Sequence, residues 1–110
     1  MIIEIYMYGV IKMLNYLLDL NISPEEIYDI NHALDSKIIE VLEISKNNVK
    51  DVLKYYRLIG VTNITELIIN RPDLVLINVE EAITTVKKLE DGLFVDLVNN
   101  NIKDLILFGV

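Results

Sequence analysis

Tyr55–Leu76 reads YYRLIGVTNITELIINRPDLVL, and its punctuation decides the fold. An apolar helical run ends at Gly60, a short turn follows, and a second apolar run stops at Arg71-Pro72. A third short apolar piece, Asp73 to Leu76, then leads into Asn78. Glycine closes a helix cheaply because it enters the left-handed region without a Cβ penalty, and proline cannot continue one. The stretch predicts a helix, a second helix and a short third one.

The same order recurs on both sides. Upstream, Leu20-Asn21-Ile22 turns the chain and Ser23-Pro24-Glu25-Glu26 opens a helix. Ser23 is the N-cap candidate, Pro24 sits at N1 where its missing N–H costs nothing, and Glu26 at N3 completes a capping box. That helix carries Ile27 and Ile30 inward and ends near His32. A short helix from about Asp35 follows, with Ile38, Ile39 and Leu42 apolar. Ser45 is expected to cap helix 46–59, whose apolar face is Val49, Val52, Leu53, Tyr56 and Ile59. Asn78 with Glu81 forms a second capping-box pattern and opens helix 79–91, ended by Asp91-Gly92. Leu93–Val98 is a further short helix, Asn99-Asn100-Asn101 is expected to break it, and Lys103–Phe108 is the last.

Helix 46–59 matches helix 79–91 at an offset of about 33 residues, a spacing typical of stacked helical hairpins whose apolar faces are buried by their neighbours. The expected fold class is all-α: a short stack of about three repeats (helix, helix, short helix) forming one small solenoid-like domain over residues 1–110.

The composition fits one such domain. The chain has 110 residues, is 53% hydrophobic and has no Cys, which removes disulfides and thiolate metal sites. The amino terminus, MIIEIYMYGVIKMLNYLLDL, lacks a basic start and a small-residue cleavage site, so it does not read as a secretory signal. Glu4, Lys12, Asn15 and Asp19 interrupt it too often for a membrane span and, with Tyr8, form one stripe of a helix. Alternation of Ile3, Ile5 and Met7 with Glu4, Tyr6 and Tyr8 also permits a short strand. No membrane partner is expected, and the expected location is cytoplasmic.

Leu58-Ile59-Gly60-Val61-Thr62, then Leu67-Ile68-Ile69, then Arg71-Pro72-Asp73-Leu74-Val75, resembles the repeat of mitochondrial transcription termination factors. Leu20-Asn21-Ile22-Ser23-Pro24-Glu25-Glu26-Ile27 resembles the turn and second helix of that repeat. The resemblance implies triangular three-helix repeats, stacked into a curved left-handed solenoid that binds nucleic acid through a basic concave groove.

Charge argues against carrying that function over. The formal net charge is −7. Residues 1–44 hold eight acids against two bases, residues 45–88 five against seven, and residues 89–110 four against one. An acidic body with a locally basic middle repels nucleic acid at long range. Within the middle, Lys46, Lys50, Lys54 and Arg57 fall four, four and three apart on one helix face, and the offset sets Lys87 beside Lys54, with Lys88 alongside. Lys50, Lys54, Tyr55, Arg57, Lys87 and Lys88 are the candidate binding residues, an anion-contacting ridge or else a solvated face.

Nothing in the spacing carries catalysis. His32 is the only His, and a metal site needs more than one such ligand. Glu25 with Asp29, and Glu40 with Glu43, share helix faces without any sign of a cleft. No phosphate loop, dinucleotide fingerprint or nucleophile elbow occurs. No enzyme activity and no cofactor are expected. The leading expectation is a protein-interaction module whose partner is another protein or a second copy, through one terminal unit, where Leu107 would take part if its side chain points outward. Alternatives are nucleic-acid binding on helices 46–57 and 79–90, or an acidic inhibitor of a nucleic-acid-processing enzyme from a phage or mobile element.

Overall fold

The computed structural model describes residues 13–110. The stripe and the strand alternative that involve residues 1–12 lie outside them. Among the described residues every regular element is a helix: η1 (Asn15–Leu20), α1 (Pro24–Ala33), α2 (Ser36–Ile44), α3 (Lys46–Leu58), α4 (Ile64–Asn70), α5 (Asp73–Leu76), α6 (Val79–Lys87), α7 (Leu93–Asn100) and η2 (Ile102–Phe108). The two η elements are 3₁₀ helices.

Local chemistry sets most of the boundaries. The Ser23 hydroxyl accepts from Glu26 N–H at 3.1 Å, and the Glu26 carboxylate accepts from Ser23 N–H at 3.1 Å. Asn78 and Glu81 close the second capping box. Gly60, at φ +112°, ends α3. Its N–H donates to Arg57 O, and the Val61 N–H reaches back to Tyr56 O, so two carbonyls of the last turn are satisfied. Asn21 after η1 and Gly109 after η2 repeat that pair of bonds with φ of 60° and 77°. The Asn21 backbone therefore does what Gly60 does, as the turn pattern implied.

Three boundaries differ from the sequence reading. Ser45 makes no side-chain cap bond. Its N–H donates to Val41 O and its carbonyl accepts from Val49 N–H, so α2 runs into α3 with no loop to cap. Helix α6 stops at Lys87 rather than residue 91, because Lys88 and Leu89 N–H tighten onto carbonyls three residues back. The asparagine run does not break α7 at residue 99. The Asn100 amide bonds to Asp96 O and Oδ1, while the Asn99 side chain turns outward to another loop, so neither competes with the helix backbone. The helix ends at Asn100, with Asn101 as its C-cap.

The helices pack in a defined set of neighbours. η1 packs on α3 and α3 on α6, α1 packs on α4, and the short elements close against their neighbours: α2 and α5 on α3, η2 on α4 and α7. One contiguous apolar core joins them, centred on Tyr56 and Phe94, both at most 1% exposed. The Tyr56 ring stacks on Phe94 with centroids 5.6 Å apart, and its hydroxyl donates to Leu74 O at 2.6 Å. Tyr16 repeats the device, donating to Leu42 O at 2.7 Å. No polar or charged side chain among the described residues is buried.

Candidate functional site

The cationic stripe of α3 is divided between two uses. Its Lys50 ammonium lies 3.6 Å from the Asp19 carboxylate, and the Arg57 guanidinium donates to the Leu20 carbonyl. Both therefore reach onto η1 and its closing turn, where Arg57 satisfies a helix-end carbonyl that would otherwise need water. Lys46 and Lys54 stay exposed on the same helix. Tyr55 is half-buried against the core, its ring centroid 5.8 Å from that of Tyr56, so its aromatic face is partly spent on packing.

Lys87 and Lys88 are exposed at the end of α6. Helices α3 and α6 pack together. Lys88, however, opens onto a shallow cavity of about 370 Å³ walled by Asn78, Glu80, Glu81, Thr84 and Thr85. Two carboxylates beside one ammonium make that wall a mixed polar surface rather than an extension of a cationic ridge. Of the six candidates, Lys50 and Arg57 come together on the η1 side, and Lys54, Lys87 and Lys88 face solvent.

Asn99 carries a role that sequence reasoning missed. Its Oδ1 accepts from the Thr62 and Asn63 N–H groups at 2.8 and 3.2 Å, and its Nδ2 donates to Gly60 O at 3.1 Å. Asn63 answers by donating to Val98 O at 3.3 Å. The α3–α4 turn is thus held by α7, much as the turn after η1 is held by Arg57 on α3 and by Thr65 on α4, whose hydroxyl donates to Glu26. That last bond, with the Ser23 N–H and the nearby Arg57, holds the Glu26 carboxyl below its usual range. Burial pushes the Tyr16 and Tyr56 hydroxyls well above theirs, with Glu43 adding to the effect at Tyr16. These shifts follow from structural bonds and desolvation. Among the described residues no three His, Asp or Glu side chains converge on a metal-sized site, and no helix is long and apolar enough to cross a membrane.

The surface feature that stands apart is apolar. In η2, Leu105 is fully buried while Ile106, Leu107 and Phe108 are 73%, 78% and 49% exposed. Leu107 faces outward. Beside it, Asn70, Arg71, Ile102, Lys103 and Ile106 enclose a cleft of about 180 Å³ with no acid in its walls. Arg71 is held there by Asp73, at 2.9 and 3.0 Å, and by Val110 O at 2.7 Å. Val41 and Ile44 on the last turn of α2, and Leu58 at the end of α3, are also exposed, but none of them belongs to a consecutive exposed apolar run. The signal for Ile44 was an α2 sequence apolar on more than one face.

No protein-family model matches this chain, and no curated protein or solved structure is detectably similar to it.

Proposed function

We propose that the chain is a short stack of three helix–helix–short-helix units (η1–α1–α2, α3–α4–α5 and α6–α7–η2) that serves as a non-enzymatic protein-interaction module. The side-by-side placement of equivalent helices and the recurring turn bonds at Asn21, Gly60 and Gly109 support the stack. The sequence resemblance to the repeat of mitochondrial transcription termination factors is a separate reason for this reading.

One observation carries the binding reading: three consecutive exposed apolar side chains on η2. An array must make its end faces polar or have them covered. In the last unit, α6 presents Glu81, Thr84, Thr85 and Lys88, and α7 presents Asp96 and Asn100, so two of its three helices are polar outside. Only η2 leaves a run of aliphatic and aromatic surface wet. At roughly 25 cal/mol per Å², covering it is a sizeable driving force for association.

The test is Leu107→Glu, which changes an exposed residue and leaves the core intact. Proteins captured from the native cell by the tagged wild type should be lost with the variant, at an unchanged circular-dichroism spectrum. Capture of nucleic acid alone, with no protein, would overturn the reading. Nucleic-acid binding through Lys54, Lys87 and Lys88 is the weaker alternative, since Lys50 and Arg57 are engaged within the chain. A mobility shift at low salt, weakening as salt rises, is its signature.

A further inference from the structure

We infer that the occupant of the η2 face is the η2 face of a second copy, in a two-fold homodimer. This rests on the reading of η2 as a docking surface and adds the identity of the partner. A two-fold contact brings one patch against itself, so the patch must be self-complementary in shape and in charge. The η2 patch is both.

Shape comes first. Leu107 projects from η2, and the cleft opens one helix edge away, with Ile102 and Ile106 on its apolar wall and Arg71 and Lys103 contributing to its rim. A 3₁₀ helix has three residues per turn, so Lys103 and Ile106 share one edge while Asp104 and Leu107 share the next. Knob and hole therefore lie on adjacent edges of one short helix. About 180 Å³ is the scale of one large aliphatic or aromatic side chain, so each copy has room for the partner's Leu107. The long stems of Arg71 and Lys103 would pack on such a side chain while their charges stay at the rim.

Charge follows the same geometry. Lys103 and Asp104 are exposed, and neither forms an ion pair within the described residues. In an antiparallel pairing of two η2 helices the long Lys103 stem of each copy reaches toward Asp104 of the other, giving two opposite-sign pairs from a single chain. No foreign partner is needed to supply either the knob or the countercharge.

The patch is small. Three side chains fall short of the roughly 800 Å² per partner buried in a standard interface, so the dimer is weak. Each copy also carries a formal charge of −7, and the two repel. Added salt screens that repulsion while leaving apolar burial intact, so association should strengthen with sodium chloride, the reverse of an association held by opposite charges.

Sedimentation at sub-millimolar to millimolar protein tests this with the full chain. Wild type should dimerise, more at high salt than at low, and Leu107→Glu should be a monomer. Lys103→Asp alone should set carboxylate against carboxylate in both cross pairs, and Asp104→Lys alone should set ammonium against ammonium. Each variant should associate about tenfold more weakly than wild type. Mixed in equal amounts they should recover the wild-type dimer, because both cross pairs regain opposite sign. A wild-type monomer at high concentration and high salt overturns the inference, as do single variants that dimerise like wild type or a mixture that stays monomeric. If the wild type is monomeric yet loses its captured proteins on Leu107→Glu, the interaction-module reading stands and the homodimer falls.

Discussion

The Tyr56 hydroxyl donates to the Leu74 carbonyl at 2.6 Å from a side chain with no solvent exposure. Tyr56→Phe leaves that carbonyl unpaired in an apolar surround, at a cost of about 1–3 kcal/mol in urea unfolding. The pH dependence has a definite sign. Burial raises the folded-state pKa above 10.0, so the contribution is complete below pH 10 and is lost as pH rises through the folded value. The stability gap between wild type and Tyr56→Phe should therefore narrow above pH 10. A constant gap to the end of the accessible range would mean the hydroxyl is not buried.

Asn99 makes three bonds to the turn at residues 60–63, two as acceptor and one as donor. Asn99→Ala should cost about 1–2 kcal/mol, and amide exchange at Thr62 and Asn63 should accelerate more than exchange in α1. Asn99→Asp keeps both acceptor bonds but turns a carboxylate oxygen toward Gly60 O, so its cost should be intermediate. Equal exchange rates in wild type and Asn99→Ala would rule out the clamp.

The contrast between Asn99 and Ser23 shows what could be read in advance. Ser23, Pro24 and Glu26 meet within one helical turn, so their capping box is legible from spacing alone, as is that of Asn78 and Glu81. Gly60 is legible because its backbone conformation is a local demand. Asn99 and Gly60 are 39 residues apart, and Arg57 and Leu20 are 37 apart. Their pairing depends on how units stack, which a helical wheel cannot supply. The wheel correctly grouped Lys50 with Arg57 on one face but could not say that η1 lies under that face.

Two cations on α3 should differ sharply in their effect on stability. Lys50 pairs with an Asp19 whose side chain is 70% exposed, so Lys50→Ala should cost less than about 0.5 kcal/mol. Arg57 donates to the carbonyl of Leu20, and Arg57→Ala leaves that helix end without its partner, at about 1–2 kcal/mol. Chemical denaturation of the two variants side by side checks the order. If Lys50→Ala costs as much as Arg57→Ala, the division of the stripe into a surface pair and a helix-end bond is wrong.

Glu26 joins α1 to α4 at one carboxylate. One oxygen accepts from Ser23 N–H, closing the capping box, and the other accepts from the Thr65 hydroxyl on α4. The Thr65 bond is the largest cause of its lowered pKa, followed by the Ser23 backbone bond. A carboxyl depressed in the folded state stabilises above its unfolded value of 4.5, and that contribution disappears as pH falls through the folded value. Thr65→Val removes the hydroxyl at similar volume, so the Glu26 carboxyl should titrate closer to its ordinary range, followed by its carbon chemical shift. As pH falls below 4.5, Thr65→Val should therefore lose less stability than wild type, and Glu26→Gln should remove the Glu26 part of the dependence altogether. Because Glu26 lies on α1 and Thr65 on α4, the same titration reports whether the two helices stay packed on acidification. An unmoved Glu26 titration in Thr65→Val would show that the two helices are not coupled through this bond.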